Sequence, residues 1–115
     1  MAEKIIFARF FKTVVGNEPV REWLKNQTKE NKKLIGGDIS AVEWKWPVGY
    51  PLVSKLDNDL WEVRTHLPEG ICRVFFTVCG NYMVLLHSMI KKSQKTRQDD
   101  LDLAKNAGIL FYQEG

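Results

Sequence analysis

The chain has 115 residues, of which 44% are hydrophobic and 27% are charged, and its formal net charge is +3. This length predicts a single domain, residues 1–115, with a modest core. No apolar run approaches the roughly 18 residues of a membrane span, so we expect no membrane partner. The start Met-Ala-Glu-Lys has no secretory signal pattern, and we expect a cytoplasmic protein. The slight basic excess permits a nucleic-acid partner without requiring one.

The N-terminal part of the sequence predicts one strand followed by two helices. The apolar run from Ile5 to Phe11 is typical of a strand inside a sheet. We expect a first helix with Asn17 as its cap and Pro19 in its first turn. A second helix is predicted over Lys29 to Lys45. The two helices together would form an N-terminal helical hairpin that covers one face of the sheet.

The remaining sequence predicts four strands and a short C-terminal helix. A short edge strand is expected from Leu52 to Leu56. Three closely spaced strands then predict an antiparallel meander over Leu60–His66, Ile71–Val78 and Tyr82–Ile90. The final helix is expected to begin near Arg97 and to end at Gly108. The predicted fold class is therefore α+β, with a small antiparallel sheet that is mixed at its edge.

Two arginines fall on the polar face of this meander. Period-2 alternation places Arg64 and Arg73 opposite the apolar side chains of their strands. If residues 67–70 form a four-residue loop, the two arginines face each other directly. Like charges facing each other destabilise a sheet, so this arrangement indicates a bound anion. The alternative is that both arginines reach solvent or pair with a nearby acid, namely Glu62, Glu69 or Asp57.

The position of His87 depends on the turn around residues 79–81. A two-residue Gly80-Asn81 hairpin would place His87 on the apolar side, as a packed histidine without a chemical role. A three-residue turn, with Asn81 in the left-handed conformation, would make Arg73 and His87 cross-strand neighbours. The hydrophobic pattern favours the three-residue turn, because that register keeps Val84 and Leu86 on the same face as Val74 and Phe76.

The last predicted strand runs into a segment that carries four cations and no acid: Lys91, Lys92, Lys95 and Arg97. Such a strand end is either a solvated surface or a binding site for phosphodiesters, whose charge lysine and arginine neutralise whatever the base sequence. The nearby arginines and His87 favour the second interpretation. Neither a carboxylate cluster for Mg²⁺ nor a zinc-ligand spacing occurs in the sequence, and we expect no cofactor and no metal.

Several stretches resemble the RelE/HigB superfamily of toxins from type II toxin–antitoxin systems. They are Leu60-Trp61-Glu62-Val63-Arg64, Gly70-Ile71-Cys72-Arg73-Val74-Phe75-Phe76, and residues 84–96 with His87 and the Lys-Lys-Ser-Gln-Lys-Thr ending. Residues 16–24 and 49–53 are similar to the phage-derived, HigB-like branch. The resemblance implies a RelE-like fold with helices on one sheet face and a catalytic concave face on the other. It also implies a ribosome-dependent endoribonuclease that cuts mRNA, and a cognate antitoxin encoded next to it, expected to be a small helix-turn-helix protein.

The sequence departs from these relatives at some functional positions. RelE-type toxins place a tyrosine near the C-terminal helix, whereas Tyr112 of this chain lies in the tail. HigB-type toxins flank their histidine with acidic and tyrosine residues, whereas His87 follows Leu86. The phage-derived branch usually has threonine and proline where this chain has Ser93 and Arg97. These differences leave the individual catalytic roles open.

Cleavage of RNA without a metal requires a group that accepts the 2′-hydroxyl proton, cations near the phosphate and a proton donor to the leaving oxygen. Histidine exchanges protons near neutral pH, and arginine donates to phosphate in a forked geometry. The predicted catalytic residues are Arg64, Arg73, His87 and Lys92, and the predicted RNA-binding residues are Lys91, Lys95 and Arg97. The competing hypothesis is a non-catalytic binding module of the RelE/ParE fold that acts on a protein or on RNA.

Overall fold

The computed structural model of the chain describes residues 2–91 and 98–114, with side chains up to residue 109. These residues form five strands and three helices. In chain order they are β1 (Phe7–Phe10), α1 (Pro19–Lys25), α2 (Lys29–Lys45), β2 (Val53–Asp57), β3 (Leu60–Leu67), β4 (Gly70–Cys79), β5 (Tyr82–Lys91) and α3 (Gln98–Glu114). The predicted α+β class is confirmed. No helix in the described part of the chain is both long and apolar enough to cross a membrane.

The strands form one mixed sheet in the order β1-β5-β4-β3-β2. Strands β2 to β5 pair antiparallel, and β1 pairs parallel with β5. With five strands, the sheet is larger than the small sheet that we expected. The prediction that the first strand lies inside the sheet is wrong, because β1 is an edge strand with Phe7 and Phe10 exposed. Glu43 of α2 covers part of this edge by accepting a hydrogen bond from the Ala8 amide at 2.8 Å.

Helices α1 and α2 lie against the same sheet face, and β1 is the one strand among their main contacts that they share. Helix α1 contacts β1 and β5, while α2 contacts β1 and β3, and the predicted helical hairpin is not confirmed. The bounds of α2 are those predicted, and the Thr28 hydroxyl caps it by accepting from the Asn31 amide. Asn17 does not cap α1, because its amide donates to the Thr13 side chain in the preceding turn, and the cap position is Glu18.

The main core lies between these two helices and the sheet. It contains Val20, Ile35, Val42, Val63, Val74, Phe76 and Leu85, all at most 2% exposed. Complete burial of such a side chain contributes about 1.5–3 kcal/mol to folding. Trp46 extends this core beyond the end of α2, since its ring meets the rings of Trp61 and Phe76 edge-on at centroid distances of 5.1 and 5.6 Å.

Helix α3 packs on the opposite face of the sheet. Ala104 of α3 lies in a second apolar cluster with Leu60, Phe75, Val84 and Leu86. The polar sheet face is therefore partly covered, and it is not the fully open surface that we expected. The helix has 17 residues and continues to Glu114, so the predictions of a short helix and of an end at Gly108 are both wrong. The small Gly108 lies close to Leu86, where an added Cβ would meet Leu86 Cδ1 at 3.6 Å.

The β4–β5 hairpin differs from its prediction in two respects. Cys79 pairs with Tyr82, which leaves a two-residue turn in which Gly80, with φ of 60°, takes the left-handed conformation in place of Asn81. The register then shifts between Phe75 and Phe76, because Phe76 pairs with Leu85 while Phe75 pairs with His87. This β-bulge inserts one extra residue into β5.

The bulge decides the orientation of His87. A regular two-residue hairpin would have turned this histidine to the apolar side, but the extra residue returns it to the face of Phe75, on which its ring stacks at 5.5 Å. The predicted pairing of Arg73 with His87 is wrong, since Arg73 pairs with Met89. The expected shared face is nevertheless present. Val84 and Leu86 also lie on this face, under α3, and not on the Val74 face as predicted.

Candidate functional site

The polar face of β3, β4 and β5 carries two arginines directly opposite each other. Arg64 pairs with Arg73 across the two strands, as the turn at residues 67–70 predicted. Glu62 lies beside them on the same face, with its Oε1 2.7 Å from Arg73 Nη1 and 3.9 Å from Arg64 Nε. Of the alternatives that the sequence left open, pairing with Glu62 is the one observed.

This group of three charged side chains is buried. Arg73 is 1% exposed, Glu62 2% and Arg64 6%. Desolvation of these ions is costly, and their close pairing offsets that cost. Among the described residues, this group combines two cations with one anion. In this conformation Arg73 does not reach solvent, so its effect on a ligand at the surface is exerted through its electric field.

A second charged group, the His–Asp–Lys cluster, consists of His87, Lys91 and Asp100. Asp100 is in the first turn of α3, and its Oδ1 lies 3.1 Å from His87 Nε2. Its other oxygen, Oδ2, lies 3.2 Å from Lys91 Nζ. All three side chains are partly exposed, but the Nζ of Lys91 itself is buried. One carboxylate thus holds two basic groups that are four positions apart on β5.

The geometry around His87 suits proton transfer. Its ring is fixed on one side by Phe75, and Nε2 faces the Asp100 carboxylate. A neutral histidine that donates from Nε2 to a carboxylate keeps Nδ1 as a proton acceptor. The doubly protonated ring carries a proton on Nδ1 as well and can act as a proton donor. The cluster can therefore provide either half of acid–base catalysis.

The two groups share one face of the sheet. Met89, which pairs with Arg73, lies between His87 and Lys91 on β5. Since neighbouring strands are about 4.8 Å apart, the arginines lie within one or two strand spacings of the His–Asp–Lys cluster. Three predicted site residues, Lys92, Lys95 and Arg97, lie outside the described residues, in the segment that joins Lys91 to α3.

Sequence reasoning missed the role of Asp100 and that of Tyr50. Asp100 follows the predicted start of the last helix, and no local pattern signals its contact with a histidine 13 positions earlier. Tyr50 lies in the stretch between α2 and β2, yet its ring lies 5.1 Å from the guanidinium carbon of Arg64. Both contacts join segments that are distant in sequence. Within the described residues no group of three or more histidine, cysteine or acidic side chains is arranged to hold a metal ion.

The α+β class of this domain is the one that the RelE/HigB resemblance implied. Residues 22–107, most of the chain, match the family described as phage derived protein Gp49-like (DUF891). The chain belongs to this family, which is a RelE/HigB-type toxin family of toxin–antitoxin systems. Among curated proteins no relative matches the chain.

Proposed function

We propose that this chain is the toxin of a type II toxin–antitoxin module and that it inhibits translation by cutting mRNA on the ribosome. Membership of a RelE/HigB-type family supports the toxin assignment. The observation that carries the nuclease proposal is the partly exposed contact of His87 with Asp100, beside Lys91 and directly before the basic segment 92–97. A non-catalytic module has no need of a fixed histidine at that position.

The reaction that fits these groups is metal-independent transesterification. The 2′-oxygen attacks the adjacent phosphorus, the O2′–P bond forms and the P–O5′ bond breaks. The products are a 2′,3′-cyclic phosphate and a 5′-hydroxyl. One proton leaves O2′ and one is added to O5′, and His87 exchanges one of these protons while Asp100 orients its ring.

The cations stabilise the charge that develops on the phosphate. Lys92, Lys95 and Arg97 of the segment after β5 contact the RNA directly. Lys91, whose Nζ is buried beside Asp100, acts from the interior. Arg64 and Arg73 likewise act from beneath the surface, through the field of their positive charges. This differs from the sequence-based hypothesis, in which both arginines hold the scissile phosphate directly.

We propose the ribosome as a partner in the reaction, because His87 exchanges only one of the two protons. Positioning of the mRNA on the ribosome supplies the remaining orientation of the reacting groups. The other proposed partner is the cognate antitoxin, a small helix-turn-helix protein encoded next to the toxin. Its gene would be found in the neighbouring open reading frame.

The test is cleavage of ribosome-bound mRNA in the presence of EDTA, with the cut sites mapped by primer extension. The wild-type chain should cut, and free RNA should be a poor substrate. His87→Ala should lower the rate by about 10²–10⁴-fold, the usual contribution of a general acid or base. His66→Ala is the matched control, since His66 is exposed at the end of β3, and it should cut at the wild-type rate. Rapid, EDTA-sensitive cleavage of free RNA would contradict the proposal.

A second candidate function is a binding module without chemistry. It is favoured by the ion pairs of the sheet face, where Glu62 partners the arginines and Asp100 partners Lys91. A face neutralised in this way suits a protein partner. In that case expression of His87→Ala should arrest growth as strongly as the wild type, and no cut mRNA should be found.

A further inference from the structure

Tyr50 is an exposed aromatic side chain that a buried cation holds in place. Its side chain is 73% exposed, on the linker between α2 and β2. The guanidinium carbon of Arg64 lies 5.1 Å from the centroid of its ring, a cation–π arrangement. Because Arg64 is only 6% exposed, it positions the tyrosine ring from the interior side. The ring is thus fixed while much of its surface remains accessible.

Tyr50 also lines a pocket of about 450 Å³ at the β2 edge of the sheet. Trp61 and Lys55 contribute to its wall, and the Lys55 Nζ lies 5.9 Å from the centre of the Trp61 ring. The described residues that line the pocket include no acid. Trp61 is held by ring contacts with Phe76 and with Trp46. The pocket therefore combines two positioned aromatic rings with a cation.

Aromatic rings beside a cation are the features that bind unpaired nucleic acid. Every base has a flat face that stacks on an aromatic side chain, and lysine neutralises the neighbouring phosphate. Arg64 connects Tyr50 to the candidate site, since it contacts Tyr50 and pairs with Arg73. Trp61 packs with the main core on the other sheet face, so the pocket lies at the β2 edge itself. His87 lies on β5, three strands from β2 and roughly 14 Å away across the sheet.

We propose that Tyr50 stacks on an unpaired RNA base near the cleaved bond but not adjoining it, with Lys55 near a phosphate of the same RNA strand. This inference rests on the proposed nuclease function, since it assigns a subsite to the same RNA. The occupant is a base and not a peptide side chain, because the described lining of the pocket carries a cation without an acid. Its Tyr50 also contacts Arg64 of the candidate nuclease face.

The experiment measures binding of a short pyrimidine 2′-O-methyl oligonucleotide by fluorescence anisotropy. This probe has no free 2′-hydroxyl and is not cleaved. Tyr50→Ala should weaken binding by about 5- to 140-fold, the range for loss of one base–aromatic stack. Tyr50→Phe, which keeps the ring, should bind like the wild type. Tyr82→Ala is the matched control. Tyr82 also makes a cation–π contact, with Arg9 4.6 Å from its ring, but it lies on the β1 side of the sheet.

An oligonucleotide without bases serves as the second probe. The wild type and Tyr50→Ala should bind it equally, because only a stacking contact depends on the base. Equal affinity of wild type and Tyr50→Ala for the normal probe would overturn the inference, and so would an absence of saturable binding by the wild type. If Tyr50→Ala instead weakened only antitoxin binding, the pocket would belong to a protein partner and the inference would be wrong.

Failure of this inference is distinguishable from failure of the proposed function. The nuclease is tested by mRNA cleavage on ribosomes with His87→Ala, and the base site by oligonucleotide affinity with Tyr50→Ala. If no mRNA were cut while Tyr50-dependent binding persisted, the proposed function would fail and the base site would stand.

Discussion

Arg73 Nη1 lies 2.7 Å from Glu62 Oε1, and both side chains are at most 2% exposed. An ion pair in such a position has been removed almost completely from water. Loss of one partner leaves the other charge buried without its counter-ion, which costs more than the pair itself contributes. The pair links β4 to β3 directly beneath the candidate site, so its loss affects both stability and function.

Arg73→Ala should therefore lower the free energy of unfolding by about 3–5 kcal/mol. Urea unfolding followed by tryptophan fluorescence measures this change. The double variant Glu62→Gln/Arg73→Met should recover part of the loss, because it removes both charges. Arg21→Ala is the control: its surface pair with Glu18 spans 3.1 Å, and its loss should cost less than about 1 kcal/mol. A cost below 1 kcal/mol for Arg73→Ala would show that the buried pair is not required.

Asp100→Asn should lower the rate of mRNA cleavage about tenfold or more, toward the rate of His87→Ala. The amide keeps the size of the side chain but removes the charge that orients His87 and holds Lys91. Single-turnover cleavage on programmed ribosomes gives the rate, and its pH profile should change, which a purely structural role would not predict. Asp102→Asn is the matched control, because Asp102 is an exposed acid on the same helix that pairs with Gln98. Equal rates for the two variants would remove Asp100 from the mechanism.

Gly80→Ala should destabilise the protein by roughly 1–2 kcal/mol, the cost of a side chain in the left-handed conformation. The penalty is conformational, because an added Cβ at Gly80 meets no atom within 4 Å. Gly37→Ala should instead raise the free energy of unfolding by about 0.5–1 kcal/mol, since Gly37 lies in α2 with open space around it. Thermal unfolding of both variants tests the difference. A destabilised Gly37→Ala or an unchanged Gly80→Ala would conflict with the structure.

Ionisation of Cys72 in the unfolded chain should lower the free energy of unfolding at high pH. Burial raises the pKa of its thiol from 9.0 to about 12, and Asp38 adds to the shift. The unfolded chain therefore releases this proton more readily than the folded chain. The stabilising contribution is complete below about pH 9 and is lost as the pH rises toward 12, with a slope of at most about 1.4 kcal/mol per pH unit.

Comparison of the wild type with Cys72→Ala isolates this effect from other groups that titrate in the same range. The difference in unfolding free energy between the two proteins should shrink from pH 9 to 11 in urea titrations. A thiol reagent at neutral pH should modify Cys79, which is partly exposed, well before Cys72. A pH-independent difference, or equal reactivity of the two cysteines, would argue against the burial of Cys72.

The opposition of Arg64 and Arg73 was predictable because it depends only on alternation along two strands and on one short turn. The position of His87 was not. The bulge beside Phe75 moves every later residue of β5 by one place, and Leu86 packs under α3 as a result. Helix α3 begins only after this hairpin has ended, so the alternation within the hairpin does not show which of its residues the helix covers. The turn at residues 80–81 is one residue shorter than predicted, and the bulge adds one residue to β5. The two differences cancel, so His87 lies on the predicted face.

The sequence by itself determined the α+β class, the bounds of most strands and the family, because these depend on local patterning and short motifs. The tertiary structure alone decided which charges meet. Glu62 neutralises Arg73, Asp100 joins His87 to Lys91, and Arg64 supports Tyr50. These contacts arise where a helix and a linker close over the sheet. Burial there makes each charge depend on its nearest partner, and that partner is set by packing between distant segments.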